Sequence, residues 1–248
     1  MQYYITKGVF LCVVDGLIVF LDLEHDQYIS LEAKMTLPLV SYLSPGPEAL
    51  NIPENKLVER KIQDVGELTV DDEQDFRKCL KDLIKNNILT TDKAMATENL
   101  PVTINIPTLD LSGYNFDHKP HITVKHVVVF LWACSKAFYK VRFFTTERVV
   151  RSVKSRKSQN PKNSDLNKIK NLVEIFKILR PVFFTAKNHC LFDSLALIEF
   201  MACYDIYSTW VFGVKMGPFQ AHCWVQDDNF IYNEDIDKAH FFTPIMIV

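Results

Sequence analysis

The most informative segment of the chain runs from Trp210 to Glu234 and reads WVFGVKMGPFQAHCWVQDDNFIYNE. Its apolar residues predict one strand over Trp210–Val214 and a second over Gln220–Gln226. Asp-Asp-Asn at 227–229 is a typical turn sequence, so residues 230–234 are predicted to return as the second arm of a hairpin. The segment therefore predicts three short strands.

Side chains along a strand point alternately to opposite faces, so His222 and Cys223 are expected on opposite faces of the sheet. The residue facing His222 across the hairpin depends on the length of the loop. A three-residue loop places Glu234 opposite His222, whereas a two-residue loop places Asp235 there. Either register puts a carboxylate beside the imidazole.

Cys190 lies upstream, at the start of a run with helical periodicity that includes Leu191, Leu195 and Ile198. Asn188 is the expected N-cap of this helix. A cysteine at a helix N terminus meets unpaired N–H groups and the positive end of the helix dipole, which both favour the thiolate. The alternative is a buried structural cysteine.

Cys190, His222 and the hairpin acid have the residue types of a nucleophile, a base and a group that orients the base. His222 would accept the thiol proton, and the carboxylate of Glu234 or of its rival Asp235 would fix the imidazole tautomer. Together these residues predict nucleophilic acyl chemistry.

No metal site is expected, although His189-Cys190 and His222-Cys223 contain the ligand types of structural zinc. Neighbouring residues on a strand point apart, and the usual paired ligand spacings are absent. Cys203 has no obvious base near it in sequence. Cys203 and Cys223 are therefore expected to be structural.

From about Leu172 to the C terminus the chain resembles the lasso-peptide B proteins, which are leader-peptide proteases with a transglutaminase-like, papain-related fold. The matching motifs are CLFDSLAL at Cys190–Leu197, WVFGV at Trp210–Val214, AHCWVQ at Ala221–Gln226 and Asn233-Glu234. The resemblance implies that Cys190 is the nucleophile, His222 the base and Glu234 the acid. Many members carry Asn-Asp where this chain has Asn233-Glu234, so Asp235 remains the rival for the third role.

The first 92 residues predict a small winged-helix-like domain. Strands are predicted over 8–14, 17–23 and 27–31, and helices over 32–43 and from 71 onwards. Asp15-Gly16 between the first two strands is a strong hairpin signal, because a type I′ turn needs positive φ at both positions.

This domain is similar to the PqqD-like element that recognises the leader of a precursor peptide. In such domains the leader adds as a strand to the third strand and packs on the last helix. The resemblance implies leader binding by Gln27, Tyr28, Ile29, Ser30, Leu31, Leu80, Leu83 and Ile84. Leu83 and Ile84 could instead belong to the core.

The predicted fold class is α+β, with a winged-helix-like (PqqD-like) domain followed by a transglutaminase/papain-like cysteine protease domain. The predicted boundaries are 1–92 for leader recognition, 93–121 for a proline-containing linker and 122–248 for the protease domain. Charge changes near the same place: residues 1–95 carry 10 Lys/Arg and 16 Asp/Glu, whereas residues 96–248 carry 18 and 14. Within the second domain, helices are predicted over 123–150 and 169–179, with a basic loop at 151–167 between them.

Composition excludes several classes of function. A net charge of −2 argues against a nucleic-acid binder, and no apolar run is long enough for a membrane span. The chain lacks a glycine-rich nucleotide loop, so no intrinsic cofactor is expected. Six irregularly spaced cysteines without a secretory signal favour the reducing cytoplasm.

The expected function is a thiol protease of lasso-peptide biosynthesis, a maturation pathway for ribosomal peptides that yields antibiotics. It would bind the leader of a precursor peptide and cut leader from core. The resemblance implies that a separate ATP-dependent cyclase then forms the macrolactam ring, and residues 151–157 are one candidate docking surface for it. The alternatives are an acyltransferase or transglutaminase on the same fold, and a non-catalytic precursor-binding module.

Overall fold

The computed structural model describes residues 2–44, 70–97, 104–105, 107–111, 120–159, 165–183, 189–227 and 229–248. The chain divides into two compact units, Met1–Thr103 and Ile104–Val248. Strands and helices are mixed in both units.

An antiparallel three-stranded sheet forms the first part of the N-terminal unit. Its strands are β2 (Val9–Val14), β3 (Leu17–Asp22) and β4 (Gln27–Ser30), in that order. Asp15 and Gly16 between β2 and β3 both have positive φ, at 49° and 73°, which confirms the predicted hairpin. Within the described residues β4 pairs only with β3, so it is an edge strand.

A second small sheet in this unit has no counterpart in the sequence prediction. β1 (Tyr3–Ile5) lies between β5 (Leu43–Ser44), which is parallel to it, and β6 (Leu89–Thr90), which is antiparallel. Strands of two or three residues are too short to show a period of two, so alternation along the sequence cannot reveal them.

Helices α1 (Ala33–Tyr42) and α2 (Val70–Lys85) pack on these sheets and confirm the two predicted helices. The core of the unit contains buried side chains from both sheets and both helices: Ile5, Leu11, Phe20, Leu39, Leu43, Phe76, Leu80, Leu83 and Ile88. This arrangement leaves β4 at the rim of the packed core.

The C-terminal unit contains a five-stranded sheet in the order β11 (Thr243–Ile247), β8 (Thr209–Lys215), β9 (Gln220–Asp227), β10 (Phe230–Ile231) and β7 (Leu109–Asp110). β7 is parallel to β10 and lies inside the segment 93–121 that was predicted as a linker. Part of that segment, residues 98–103, 106 and 112–119, lies outside the described residues.

The described part of this unit also contains four long helices: α3 (Val124–Phe143), α4 (Thr146–Gln159), α5 (Leu166–Phe183) and α6 (Cys190–Ala202). α6 packs against β9, and α3 and α5 pack against α6. The predicted single helix over 123–150 is wrong, because the Thr145 hydroxyl accepts a hydrogen bond from the Arg148 N–H and starts a new helix.

The predicted loop over 151–167 is wrong over 151–159 and 166–167, which are helical, while residues 160–164 lie outside the described residues. α4 continues to Gln159 because Val149, Val150 and Val153 form a buried stripe, while most of its basic side chains face outwards. The high content of Lys, Arg and Ser in this segment hid the apolar stripe from a composition-based prediction.

α6 is the central helix of the unit, and every residue from 193 to 201 is buried. Phe200 of this helix contacts the rings of Phe130 and Phe176, with centroids 6.3 Å and 5.7 Å away. Because α6 packs against β9 on the sheet side, the N terminus of the helix and the middle of β9 lie together.

Candidate active site

Cys190 is the first residue of α6 and is half-buried. His189 is the N-cap of the helix and its side chain makes no capping hydrogen bond, whereas the expected cap Asn188 lies outside the described residues. One turn further along, the Ser194 hydroxyl donates to the Cys223 carbonyl of β9 at 3.0 Å. This bond holds the first turn of α6 against the strand that carries His222.

His222 and Glu234 form a close pair beside the first turn of α6. The Nε2 atom of His222 lies 2.5 Å from Oε2 of Glu234, and the side chains are 10% and 16% exposed. The Lys238 ammonium donates to the same oxygen of Glu234 at 2.6 Å. The carboxylate is therefore held between an imidazole and a cation.

The backbone register alone does not produce the contact between His222 and Glu234. Phe230 pairs with Asp227, so the two-residue loop is the observed one and the three-residue alternative is wrong. Continued at that register, the ladder would bring Asp235 opposite His222. However, β10 ends at Ile231 instead of the predicted residue 234.

After β10 a side chain replaces the backbone ladder. The Asn233 side-chain oxygen accepts from the Val225 N–H at 2.9 Å, so the chain leaves the sheet and Glu234 turns towards His222. Asp235 instead caps the short helix α7 (Ile236–His240), where its carboxylate accepts from the Asp237 N–H. Of the two rival acids, Glu234 is the one that contacts the imidazole.

The ionisation of Cys190 favours a nucleophile. Hydrogen bonds from the Cys223 thiol and from His222, together with the charge of His222, outweigh burial and lower the pKa of the Cys190 thiol to about 4. Burial raises the pKa of the Cys223 thiol well above its ordinary value, and the hydrogen bond to Cys190 acts in the same direction. At neutral pH Cys190 is therefore a thiolate and Cys223 a neutral thiol.

The pKa shifts of His222 and Glu234 also favour their charged forms. Burial lowers the pKa of His222, but hydrogen bonds to Cys190 and Glu234 outweigh it, so this pKa is raised. For Glu234, burial is outweighed by hydrogen bonds from His222 and Lys238, which lower its pKa to about 2. The site therefore holds a thiolate–imidazolium pair beside a carboxylate.

These residues line a cleft of about 690 Å³. Its walls consist of Arg180, Cys190, Asp193, Gln220, Ala221, His222, Cys223, Asn233, Glu234, Lys238 and Phe242. The volume is in the range of ligand-binding clefts. A segment of extended peptide or a small molecule could therefore reach Cys190.

Two aromatic rings fix the imidazole from the side. The ring centroid of His222 lies 5.1 Å from Phe242 and 6.3 Å from Trp224. Gly213 pairs with His222 across β8 and β9, and a Cβ atom at Gly213 would lie only 2.9 Å from the Trp224 ring. Glycine at this position therefore lets the indole lie flat against the strand.

A buried polar group beneath the cleft has no counterpart in the sequence prediction. Asp193 is 2% exposed and is contacted by the Arg180 guanidinium at 3.3 Å and by the Asn233 side-chain amide at 2.8 Å. The same amide reaches the Ser194 hydroxyl at 3.2 Å. Two features of the sequence could have indicated this group. Asp193 is a carboxylate in an otherwise apolar helical run, and Asn233 directly precedes the candidate acid.

Cys223, for which the sequence predicts a structural role, lies at the cleft. Cys223 is buried as expected, and it also lines the cleft that contains Cys190. Alternation separates its side chain from that of His222, yet both residues line the cleft together with Cys190. Cys203, in contrast, is exposed at the other end of α6 and donates its thiol to the Glu199 carbonyl.

The predicted leader-binding residues lie in the N-terminal unit. Gln27, Tyr28, Ile29 and Ser30 form β4, and Leu31 follows with its N–H donated to the Ile18 carbonyl. On α2, Leu80 and Leu83 are buried in the core, and Ile84 is partly buried against it. Of the eight predicted residues, the edge-strand group is therefore the more accessible.

Neither a metal-binding cluster nor a membrane-spanning helix is found in the part of the chain that the structure describes. There, no group of three or more His, Cys, Asp and Glu side chains could hold a metal ion. In the same ranges, no helix combines the length and apolar character that a membrane span requires.

Comparison with known proteins bears on the unit that contains the cleft. Residues 130–247 match the model of the transglutaminase-like superfamily, so the C-terminal part of the chain carries a transglutaminase-like domain. No curated protein and no solved structure matches the chain significantly. The matched range contains Cys190, His222 and Glu234 but ends before Val248 and begins within α3.

Proposed function

We propose that this protein is a cysteine peptidase that binds the leader of a ribosomal lasso-peptide precursor and cuts leader from core. The observation that carries the proposal is the thiolate of Cys190 beside His222 and Glu234 in one open cleft. A transglutaminase-like domain is compatible with cysteine protease or acyltransferase chemistry.

The proposed reaction begins with attack of the Cys190 thiolate on the scissile carbonyl carbon. The His222 imidazolium then gives its proton to the leaving amine, which releases the core peptide and leaves the leader as a thioester on Cys190. Neutral His222 next takes a proton from water, and the hydroxide attacks the thioester. The products are a leader carboxylate and the regenerated thiolate–imidazolium pair.

Glu234 has the role of an orienting group in this scheme. Its carboxylate contacts Nε2 of His222 and is itself held by Lys238, so it stabilises the imidazolium form. The backbone N–H of Cys190, at the start of α6, is the proposed donor to the oxyanion, because N–H groups in the first turn of a helix lack intrahelical partners.

Leader recognition is proposed for the N-terminal unit as a PqqD-like, winged-helix-like domain. Among the described residues β4, residues 27–30, pairs only with β3, and we place the extended leader on its other edge as a fourth strand. Leu31 and Ile84 would extend the contact, and Leu80 and Leu83 would support it from the core. Residues 1–95 carry a net charge of −6, which would favour a basic leader.

The proposed partners are the precursor peptide and a separate cyclase that uses ATP to close the macrolactam ring. The peptidase reaction itself needs no cofactor, since water is the only co-reactant. The cytoplasm is the proposed location, because thiols stay reduced there and a free Cys190 is required.

Acyl transfer is the second candidate function, because the superfamily match favours it as much as hydrolysis. Both reactions pass through the same thioester on Cys190. They differ in the group that attacks the thioester, which is water in a peptidase and an amine in a transferase. Mass spectrometry separates them, since hydrolysis leaves a free carboxylate and transfer leaves an amide adduct.

The test uses the full chain and a candidate precursor peptide encoded beside its gene, with and without the neighbouring cyclase. Wild-type protein should release the leader with a free carboxylate. Cys190→Ala should bind the precursor with unchanged affinity and leave it uncut, while the matched variant Cys203→Ala should cut normally. Cleavage by Cys190→Ala would show that the nucleophile is wrongly assigned, and binding without cleavage by wild type would favour a non-catalytic binding module.

A further inference from the structure

Two cysteines, one at the start of α6 and one on β9, line the cleft. Cys190 begins α6, Cys223 lies in the middle of β9, and both line the same cleft. The Ser194 hydroxyl, one turn after Cys190, donates to the Cys223 carbonyl at 3.0 Å and fixes the strand against the helix. The Asn233 amide contacts the same hydroxyl at 3.2 Å and braces it from the other side.

The two thiols differ in the ways that matter for oxidation. Cys190 is half-buried on the wall of the cleft, where a small oxidant can reach it, and its thiolate form is favoured. Cys223 is 3% exposed and stays protonated. Because oxidation follows thiolate character and access, an oxidant would attack Cys190 first and find Cys223 beside it.

We propose that Cys190 and Cys223 are an oxidative modification site, at which peroxide converts them into a reversible disulfide with Cys223 as the resolving cysteine. The packing of the start of α6 on β9, which brings both cysteines to one cleft, carries this inference. The chemistry concerns the protein's own thiols and requires no substrate. Only its consequence for activity rests on the proposed function.

The two steps balance with hydrogen peroxide as the oxidant. In the first, the Cys190 thiolate attacks one peroxide oxygen, the O–O bond breaks, and the products are Cys190 sulfenic acid and hydroxide, which takes up a proton to become water. In the second, the Cys223 thiol gives up its proton and its sulfur attacks the sulfenic sulfur, which expels water and leaves the disulfide. Two cysteine thiols are thereby oxidised, and one peroxide is reduced to two waters.

The disulfide would block the Cys190 nucleophile and protect Cys190 from further oxidation. A sulfenic acid without a nearby thiol is oxidised further to sulfinic acid, which cellular thiols do not reverse. With Cys223 in the same cleft to resolve the sulfenic acid, the oxidised state is one that a dithiol can reduce. The cleft would therefore be inactive under peroxide and recover afterwards.

The experiment treats the full-length protein with hydrogen peroxide, blocks free thiols and maps the cysteines by peptide mass. Wild type should lose the mass of two hydrogens and yield one linked peptide pair, containing Cys190 and Cys223, that disappears on treatment with dithiothreitol. Cys223→Ala should give no linked pair and should instead accumulate Cys190 sulfenic acid, trapped by dimedone, and then sulfinic acid. Cys203→Ser, an exposed cysteine on the same helix, should behave as wild type.

Formation of sulfinic acid at Cys190 in wild type at the rate seen in Cys223→Ala would overturn the proposal, as would a disulfide from Cys190 to any other cysteine. If Cys223→Ala does not fold, Cys223→Ser replaces it as the comparison. The peptide masses of peroxide-treated wild type still show whether Cys190 and Cys223 are linked. Because these readouts require no cleavage, a wild-type protein that forms the disulfide yet cuts no precursor would refute the proposed function alone.

Discussion

The thiolate of Cys190 and the imidazolium of His222 stabilise each other, and this mutual effect determines how single residues of the site respond to pH. The pKa of Cys190 lies near 4 and that of His222 is raised above its ordinary 6.5. The ion pair is therefore present from about pH 4 up to the raised pKa of His222. Below that window the thiolate is protonated, and above it the imidazolium is lost.

The first prediction concerns alkylation of Cys190. Its rate with iodoacetamide should rise through about pH 4 and remain high at pH 6, since the thiolate is the reactive form. In His222→Ala the rate at pH 6 should fall strongly, because a supporting hydrogen bond and charge are gone. Peptide mass locates the labelled cysteine, and slow or scattered labelling of the wild type at pH 6 would contradict the assigned ion pair.

The second prediction compares the two neighbouring acids. Glu234→Ala should slow precursor cleavage by about 100-fold or more, because the imidazole loses the group that orients it and stabilises its charge. Asp235→Ala removes only the cap of α7 and should cost about 1 kcal/mol of stability with a much smaller change in rate. Single-turnover cleavage rates decide between them, and the reverse order would move the role to Asp235.

Short-range patterns were enough to find Cys190, His222 and the acidic pair as candidates. They could not choose between Glu234 and Asp235, because that choice depends on where β10 ends and on the Asn233 side chain that replaces the ladder. The position of Cys223 in the same cleft as Cys190 was missed for a similar reason. It depends on the packing of a helix end against a strand, which alternation within one strand does not describe.

Among the elements of the C-terminal unit, α6 is tied to α3 and α4 by a buried carboxylate. Glu199 is 1% exposed and accepts hydrogen bonds from Lys136 and Lys140 of α3 and from Arg156 of α4, at 2.7–2.8 Å. These bonds outweigh burial and lower the pKa of Glu199 to about 2. The helix that carries Cys190 is thereby fixed from its far end.

The third prediction follows from this arrangement. Glu199→Ala should destabilise the fold by about 3–5 kcal/mol, because the buried ammonium of Lys140 loses its counter-charge. Glu147→Ala, which breaks an exposed pair with Arg151 one turn away on α4, should cost at most about 1 kcal/mol. Urea denaturation at neutral pH measures both, and equal losses would contradict the special role of the buried carboxylate.

The same carboxylate links stability to pH. Its pKa in the folded state is depressed to about 2 from an ordinary value of 4.5. Its contribution to stability is therefore complete above about pH 4.5 and is lost as the pH falls towards 2. As the pH falls from about 4.5 towards 2, the free energy of unfolding of the wild type should therefore decrease by more than that of Glu199→Ala.

Elements with a clear hydrophobic period were predictable, for example β2, β3, β9, α2 and α6. α4 was missed because its basic surface dominates the composition, and β1, β5, β6 and β7 were missed because each has only two or three residues. Such short strands form only by pairing with other strands, and those other strands lie far away in the sequence. Local patterns carry no information on them.

For the molecule as a whole, the proposed function divides recognition and chemistry between the two units. The edge strand β4 belongs to the acidic N-terminal unit, and the thiolate belongs to the C-terminal unit. Changes at the edge strand should therefore alter precursor binding and leave the reactivity of Cys190 untouched. This independence is a property that a single variant can test.

The fourth prediction uses Ser30. Leu31 donates its N–H to Ile18 of β3, so by alternation the N–H of Ser30 points away from β3. Ser30→Pro removes this outward donor and spares the bonds to β3, so it should weaken precursor binding several-fold. Ser30→Ala keeps the donor and should bind as wild type. Fluorescence anisotropy of a labelled precursor measures the affinity, and an unchanged value in Ser30→Pro would argue against strand addition at β4.

The glycine behind the imidazole has a consequence for how the cleft can evolve. A Cβ atom at Gly213 would lie within 3.0 Å of both the Trp224 ring and the Phe242 Cβ, and the indole N–H is bonded to Gln226 and cannot withdraw freely. A larger residue at 213 therefore requires a prior reduction in size at 224 or 242. Descendants of this sequence should explore these three positions through compensated double changes, so the aromatic wall of the cleft would diversify in correlated steps and not one residue at a time.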